Sequence, residues 1–247
     1  MPSLPPLLGH RGAAGHAPEN TLASLRKAAD LGARWVEFDL KLTADGRLVL
    51  FHDETLGRTT DGKGLVAEKT YSEIARLDAG SWFAPSFAGE RVPTFEEAIE
   101  VLAASSLGAN LEIKPCPGRE AETGAAVARA TRRLWPGHLP PPILSSFDVE
   151  SLEAARDAAP DVARGLLLSR LRRRWIATYE ALGCSTIHVA ERALDAGAIA
   201  SIRATLPAAP LLSFTVNEPA RAATLFGLGV DALFTDFPDR LAPLVST

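Results

Sequence analysis

The feature that most constrains the fold is a regular alternation of short apolar runs with longer segments of helical periodicity. Eight apolar runs predict strands, at residues 7–10, 35–40, 109–113, 142–145, 163–168, 186–189, 211–216 and 232–235. Helix-like segments lie between most of them, at residues 21–31, 95–104, 121–134, 149–158, 175–182, 193–204 and 219–228. Strands that alternate with helices in this way are typical of α/β proteins with a parallel sheet.

The strand number predicts a closed TIM (β/α)8 barrel, and a chain of 247 residues is long enough to form one. A doubly wound open sheet is the alternative. The glycine motif G-x-G-x-x-G, which is typical of dinucleotide-binding open sheets, does not follow the first strand. We therefore predict a single barrel domain over residues 1–247.

One segment, at about residues 53–93, interrupts the alternation. It is rich in Gly, Thr, Asp and aromatic residues and contains no simple strand–helix unit. A long excursion inside a compact domain is usually functional or forms a small subdomain. We predict an insertion subdomain after the second strand, on the face where barrel active sites lie, and the pattern fits a mobile lid as well as a fixed wall.

Composition limits the partners and the compartment. The net charge of −4 offers no excess of basic charge for a phosphate backbone, so we expect no nucleic-acid partner. The two cysteines, Cys116 and Cys184, are too few for a disulfide scaffold. The first residues lack the features of a signal peptide, and no apolar run is long enough to span a bilayer. We predict a cytoplasmic protein without stable membrane insertion; composition leaves the oligomeric state open.

Three acidic residues at strand ends predict a metal site. Glu37 and Asp39 end the second strand and share one side of it, because side chains two residues apart point the same way. Glu112 ends the third strand, so the three carboxylates converge at one barrel mouth. Like charges at short range repel unless a cation joins them, and oxygen ligands favour one Mg²⁺ or Ca²⁺ over Zn²⁺. Acidic pairs in strands otherwise form solvated edges or salt bridges.

Two histidines beside these carboxylates predict acid–base chemistry. His10 ends the first strand, and His52 follows the apolar run R-L-V-L-F. Phosphodiester hydrolysis needs a base for the attacking oxygen and an acid for the leaving alkoxide, and histidine performs either role near neutral pH. Arg11 and Lys114 would offset charge on the phosphate oxygens. A hydrogen-bonded structural role is the alternative for each histidine taken alone.

Further polar residues at strand ends and loops are predicted to support this site. We predict Asn20 as the N-cap of the first helix and Glu19 as a brace for Arg11 or the metal site. Asn217 and Asp236 end the last two strands, where they either contact the site or close loops.

Short motifs follow one another in a specific order and spacing over nearly the whole chain. The longest string, E-F-D-L-K-L-T-A-D-G-R-L-V-L-F-H-D-E-T-L, covers residues 37–56. The others are G-H-R-G-A at 9–13, A-P-E-N-T at 17–21, R-T-T-D-G-K-G at 58–64, V-P-T-F-E-E at 92–97, L-E-I-K-P at 111–115, S-S-F-D at 145–148, F-T-V-N at 214–217 and D-A-L-F-T-D-F-P-D at 231–239.

In this order and spacing, the motifs resemble those of the glycerophosphodiester phosphodiesterases. The resemblance implies a TIM barrel that cleaves deacylated phospholipids into glycerol 3-phosphate and an alcohol such as choline, ethanolamine or glycerol. It implies His10 and His52 as the acid–base pair and Arg11 and Lys114 as residues that face the phosphate. It implies Mg²⁺ or Ca²⁺ at Glu37, Asp39 and Glu112. The nucleophile is either water or a neighbouring substrate hydroxyl that forms a cyclic phosphate.

Two aromatic residues, Phe147 and Phe214, are predicted to line the glycerol pocket, although aromatic residues at strand ends are as often part of the core. Phe214 stands where we expect tryptophan in most relatives. Because an aromatic face is kept, the difference indicates an altered pocket and not a lost activity.

Other functions remain as alternatives. The same barrel plan resembles sphingomyelinase D and phosphatidylinositol-specific phospholipase C, which act on intact lipids. The basic cluster of Arg170, Arg172, Arg173 and Arg174 beside Trp175 is the one feature that suggests a lipid surface. A phosphate-binding barrel without turnover would not need both an acid and a base. A metal-dependent amidohydrolase would show H-x-H on the first strand, where this chain has H-R-G.

Overall fold

The computed structural model describes residues 4–171 and 174–245, which contain nine strands. The strands are β1 (Leu7–Gly9), β2 (Trp35–Leu42), β3 (Leu48–Leu50), β4 (Gly108–Ile113), β5 (Ile143–Ser146), β6 (Ala163–Leu168), β7 (Thr186–Ala190), β8 (Leu211–Phe214) and β9 (Ala232–Thr235). All eight predicted strands are therefore present, with ends that shift by a few residues.

Eight of these strands close into a parallel barrel. Each pairs in parallel with the next around the ring, in the order β1, β2, β4, β5, β6, β7, β8 and β9. The ring is completed where β9 pairs with β1, with Phe234 opposite Leu8. The prediction of a TIM barrel is confirmed, and the open-sheet alternative is wrong.

Helices follow the barrel strands as predicted. They are α1 (Leu22–Asp30), α2 (Tyr71–Ile74), α3 (Phe95–Ser105), α4 (Glu120–Leu134), α5 (Val149–Ala158), α6 (Trp175–Ala181), α7 (Ala196–Thr205), α8 (Pro219–Gly227) and α9 (Pro238–Leu241). The short helices α2 and α9 were not predicted, because four residues give too little periodicity to detect. Among the described residues, no helix combines the length and the apolar character needed to cross a membrane.

The first helix begins differently from the prediction. Thr21, not Asn20, is the N-cap of α1, and its side chain accepts a hydrogen bond from the Ser24 backbone N–H. Asn20 adopts a left-handed conformation with φ of 55°, which asparagine tolerates better than most residues. This conformation frees the Asn20 side chain to turn towards β2.

A short strand that was not predicted, β3, precedes the insertion at about residues 53–93. Strand β3 pairs antiparallel with the end of β2, with Val49 opposite Lys41. Residues 51–93 then form mostly turns and α2 around a small apolar cluster, which includes Leu56, Val66 and Ile74 and is completed by Val49 and Cys116. The Asp78 carboxylate accepts backbone hydrogen bonds from Gly80, Ser81 and Gly89. These bonds hold the loop of residues 78–89 in a fixed conformation.

The barrel has two apolar layers separated by its strands. Phe38 points outwards and packs on Phe95 of α3, as the alternation along β2 predicts. Inside the barrel, Trp35, Leu8 and Leu212 belong to a second buried cluster. Towards the C-terminal mouth, polar side chains replace the apolar ones.

His188 of β7 lies in the barrel interior and is fully buried. Its Nε2 lies 2.9 Å from Thr186 Oγ1, and its Nδ1 has no hydrogen-bond partner among the described residues. Burial lowers the pKa of His188 to about 3. The folded protein therefore holds this ring neutral at pH values where the unfolded chain protonates it.

We expect acid to weaken the fold through His188. The unfolded chain takes up a proton at this residue near pH 6.5. The contribution of the neutral ring to the free energy of unfolding is therefore fully present above that pH and decreases as the pH falls. Between about pH 7 and pH 5 the loss in the free energy of unfolding is about 2 kcal/mol. Urea unfolding of wild type and His188→Gln at both pH values measures it, and the variant should lack this part of the loss.

The matched control is His138→Gln, which removes an exposed histidine. It should keep the wild-type difference between the two pH values. Because variants are compared with the wild type, titration of the acidic residues cancels. An identical pH dependence in wild type and His188→Gln would contradict the account of this residue.

The predicted basic cluster is partly described. Arg170 and Arg174 are exposed, and Arg172 and Arg173 lie outside the described residues. Trp175 begins α6 and packs into the main core with 9% of its surface exposed. Its indole therefore offers little apolar surface to a lipid bilayer.

Candidate active site

Three carboxylates meet at the C-terminal mouth of the barrel. Strands β2 and β4 are neighbours, and their register sets Asp39 directly opposite Glu112. Glu37 lies two residues earlier on β2 and faces the same way, so oxygen atoms of all three side chains lie within 4.8 Å of one another. The predicted convergence of these acids is what the structure shows.

Burial and mutual repulsion oppose ionisation of this triad. Burial and the charge of Asp39 raise the pKa of Glu37 well above its usual range, and they raise the pKa of Glu112 to about 7. Burial acts in the same direction on Asp39, but the charges of Arg11 and Lys114 outweigh it and lower its pKa. The positive charges of Arg11 and Lys114 therefore do not fully balance the three carboxylates of the triad.

The donor set fits a hard divalent cation. The Glu37 Oε1 atom is buried and accepts no hydrogen bond from any residue within 4–171 or 174–245. A buried carboxylate oxygen without a partner is costly, and cation binding removes that cost. Oxygen ligands alone are typical of Mg²⁺ and Ca²⁺ sites.

A tight turn after β1 positions His10 and Arg11. Gly12 has φ of 87°, and a Cβ atom there would lie 2.4 Å from Ser24 Oγ, so only glycine fits. Arg11 itself is left-handed with φ of 49°, and its backbone N–H donates to Glu37 Oε2 at 2.9 Å. The turn therefore connects the first barrel strand to the acidic triad.

His10 is oriented by a carboxylate on the opposite side of the turn. Its Nδ1 lies 2.7 Å from Asp236 Oδ1, and its Nε2 lies 3.9 Å from Glu37 Oε2. The other Asp236 oxygen accepts from the Asn217 amide at 2.6 Å. Burial opposes ionisation of Asp236, but its hydrogen bond with His10 keeps its pKa below the usual value. Of the two predicted roles for Asn217 and Asp236, contact with the site is the one observed.

His52 has a similar environment on the insertion side. Its Nδ1 lies 2.6 Å from Asp53 Oδ1, and Asp53 in turn accepts from Arg58 Nε at 2.5 Å. Burial lowers the pKa of His52, and the neighbouring Arg11 and Lys114 act in the same direction. Both histidines thus have Nδ1 bound to a carboxylate, which leaves Nε2 available.

Two basic side chains flank the triad. The Arg11 guanidinium donates to Glu19 Oε1 at 2.5 Å, as predicted, and its Nε lies 3.4 Å from Asp39 Oδ2. Lys114 Nζ lies 2.7 Å from Glu112 Oε1 and 4.0 Å from Asp39 Oδ1. Both basic groups therefore lie next to the carboxylates of the triad.

An aromatic pair lies beside Lys114. The rings of Phe147 and Phe214 contact edge to face with centroids 5.5 Å apart, and Lys114 Nζ lies 5.3 Å from the Phe147 centroid. Phe147 is 41% exposed, so its ring lies at the surface of the mouth and not in the core.

Three residues hold this site together through contacts that the sequence did not predict. Asn20 donates to Asp39 Oδ2 at 2.8 Å and accepts from the Asp39 backbone N–H at 3.1 Å. The buried Lys41 ammonium donates to the Lys114 carbonyl at 3.0 Å and so connects the ends of β2 and β4. Arg58, the third residue, donates to Asp53. The alternation Glu37, Asp39, Lys41 along β2 was the available signal for Lys41.

Convergent carboxylates and two carboxylate-bound histidines at the mouth of a barrel are the arrangement expected of an enzyme active site. Comparison with known proteins specifies the family. Residues 10–240 match the Glycerophosphoryl diester phosphodiesterase family. A glycerophosphodiester phosphodiesterase of Caldanaerobacter subterraneus is 33% identical over 246 residues, which cover 97% of both chains.

Solved structures agree with this match. A phosphodiesterase from Oleispira antarctica, in complex with the product sn-glycerol-3-phosphate, superposes with a TM-score of 0.94 at 40% identity and covers 99% of this chain and 98% of its own. A glycerophosphodiester phosphodiesterase from Agrobacterium tumefaciens has a TM-score of 0.79 at 30% identity, over 97% of this chain and all of its own. The chain belongs to the glycerophosphodiester phosphodiesterase family, which confirms the predicted class of enzyme.

Proposed function

We propose that this enzyme hydrolyses glycerophosphodiesters to glycerol 3-phosphate and an alcohol, with one divalent cation, Mg²⁺ or Ca²⁺, and two histidines. The observation that carries the proposal is the meeting of the acidic triad with two carboxylate-bound histidines at one mouth. The relative from Oleispira antarctica was solved with sn-glycerol-3-phosphate, the product that this reaction yields.

The cation would be held by Glu37, Asp39 and Glu112, whose buried oxygens lie close enough to share it. A divalent ion in such a site supplies charge stabilisation to the oxygens of a phosphate. Its binding also offsets the repulsion within the triad, which favours the ionised form of Glu37 and Glu112.

The two histidines would transfer the protons. One ring removes a proton from the nucleophile, which is water or a neighbouring substrate hydroxyl, and the other protonates the leaving alkoxide. Each ring keeps Nε2 directed away from its carboxylate partner, because Nδ1 is bound to Asp53 or Asp236. These carboxylates would also stabilise the positive charge that a ring gains when it accepts a proton.

Four further residues would bind the substrate. Arg11 and Lys114 supply positive charge for the phosphate oxygens, and both lie beside the triad. Phe147 and Phe214 offer apolar ring surface for the carbon face of glycerol.

The kind of partner and the compartment remain predictions. A small-molecule substrate, and no nucleic acid, fits the net charge of −4. Two free cysteines fit a cytoplasmic location.

A substrate panel tests the proposal against the lipid-directed alternatives. Purified wild type is incubated with glycerophosphocholine, glycerophosphoethanolamine, sphingomyelin and phosphatidylinositol, each with Mg²⁺ or Ca²⁺, and products are identified by mass spectrometry. We expect glycerol 3-phosphate from at least one glycerophosphodiester and no product from the two intact lipids. Cleavage of an intact lipid without glycerophosphodiester turnover would contradict the proposed substrate class.

A further inference from the structure

One arginine of the insertion contacts two acidic residues of the site region. Arg58 ends the turn Leu56–Arg58, and its Nη1 and Nη2 donate to the two carboxylate oxygens of Glu19 at 2.8 and 2.7 Å. The same guanidinium donates to Asp53 through Nε at 2.5 Å and Nη2 at 3.0 Å. Arg58 therefore makes paired contacts with both carboxylates at once.

Each of these carboxylates also binds a residue of the proposed machinery. Asp53 is the partner of His52 Nδ1, and Glu19 accepts from the Arg11 guanidinium. Glu19 belongs to the loop between β1 and α1, whereas Asp53 and Arg58 belong to the segment after β3. The contacts thus run without interruption from His52 to Arg11, and Arg58 connects the insertion to the loop after β1.

The chemistry of arginine suits this position. A planar guanidinium with five donors satisfies two carboxylates in fixed directions, which a lysine ammonium does not do. Without Arg58, Glu19 and Asp53 would each lose two hydrogen bonds, and the two carboxylates would repel each other. His52 and Arg11 would then keep their partners, but those partners would no longer be held in place.

We propose that Arg58 is a positioning residue of the hydrolytic site, which fixes the His52 ring through Asp53 and the Arg11 guanidinium through Glu19. The inference rests on the proposed function, because it concerns the orientation of the proposed proton-transfer and phosphate-binding groups. Arg58 contacts neither the triad nor the mouth residues directly. Its effect on turnover is therefore exerted through its two acidic partners.

The charges around His52 predict how the loss of Arg58 changes the pH at which this ring titrates. The ring faces Asp53 from its own segment, Asp39 from β2, Arg11 from the turn after β1 and Lys114 from the end of β4. Arg58 neutralises much of the charge on Asp53. Its removal leaves Asp53 free to stabilise the protonated ring, so His52 should titrate at a higher pH.

The experiment compares Arg58→Gln, Arg58→Lys and the control Arg221→Ala. Arg221 likewise donates to a carboxylate, Glu191, and to the backbone carbonyls of Glu191 and Leu194, none of which belongs to the proposed machinery. We expect Arg58→Gln to lower kcat/KM for glycerophosphocholine by about 10–100-fold, and Arg58→Lys to recover only part of this. The limb of the pH–rate profile that reports His52 should move to higher pH in Arg58→Gln: the acidic limb if His52 is the base, the basic limb if it is the acid. Arg221→Ala should keep the wild-type profile.

Histidine 15N NMR of the unliganded protein gives a readout that does not need turnover. The His52 titration should move to higher pH in Arg58→Gln and stay unchanged in Arg221→Ala. A loss of rate that is uniform in pH, with an unchanged His52 titration, would overturn the inference and leave Arg58 a structural residue. If the wild type is inactive but the His52 titration still moves in Arg58→Gln, the proposed function is wrong. The positioning role of Arg58 towards His52 is then supported.

Discussion

Replacement of His10 by asparagine is expected to lower kcat by about 10²–10⁴-fold, the usual contribution of a general acid or base. The asparagine amide can still donate to Asp236, as Nδ1 of His10 does at 2.7 Å, but the side chain can no longer accept or release a proton. Steady-state rates between about pH 5 and pH 9 measure the effect, and the variant should lose one limb of the bell-shaped wild-type profile.

His16→Gln is the matched control for this prediction. His16 lies in the same loop, and its Nε2 is bound to Asp239 at 2.8 Å, but that pair lies outside the groups assembled around the triad. Wild-type rates are therefore expected from His16→Gln at every pH. The assignment of His10 would be wrong if His10→Asn kept both limbs of the profile with little loss of rate.

Replacement of Glu37 by glutamine is expected to abolish high-affinity binding of the divalent ion and to lower turnover by about 10³-fold, which corresponds to several kcal/mol of lost stabilisation. The glutamine can still accept the backbone N–H of Arg11, so the turn after β1 should persist. Calorimetric titration with Mg²⁺ and with Ca²⁺ measures the binding, and Glu122→Gln, a change of an exposed carboxylate on α4, is the control.

The same variant should be more stable than the wild type when no divalent ion is present. Burial and Asp39 raise the pKa of Glu37, which means that its charge is held at a cost in the folded protein. Glutamine removes that charge and keeps the shape. Higher melting temperature with lower activity is the pattern expected of a functional site, and wild-type ion affinity in Glu37→Gln would contradict the assignment.

The acidic triad could be predicted from the sequence because strand geometry is local. Glu37 and Asp39 share a side of β2 through the two-residue period, and the end of a barrel strand is a defined location. Only the register between β2 and β4 had to be observed, and it brings Glu112 opposite Asp39. Periodicity likewise predicts the barrel strands, because each is a short apolar run.

The supporting contacts could not be predicted, because they join residues far apart in the sequence. Asn20 has the position and residue type of an N-cap, and its contact with Asp39 depends on a left-handed backbone that no local pattern reveals. Arg58 and Glu19 are separated by the whole of β2 and β3. Strand β3 was missed for a different reason: it pairs antiparallel with β2 across a short turn and so lies outside the strand–helix alternation that identifies the barrel strands.

The most direct test of the account is 31P NMR of glycerophosphocholine during incubation with the wild type, first after EDTA treatment and then after addition of Mg²⁺ or Ca²⁺. We expect no change with EDTA and conversion to glycerol 3-phosphate once the ion is supplied. A transient cyclic phosphate signal would identify the substrate hydroxyl as nucleophile. Full-rate conversion in EDTA would contradict the assignment of Glu37, Asp39 and Glu112 as ligands of a required cation.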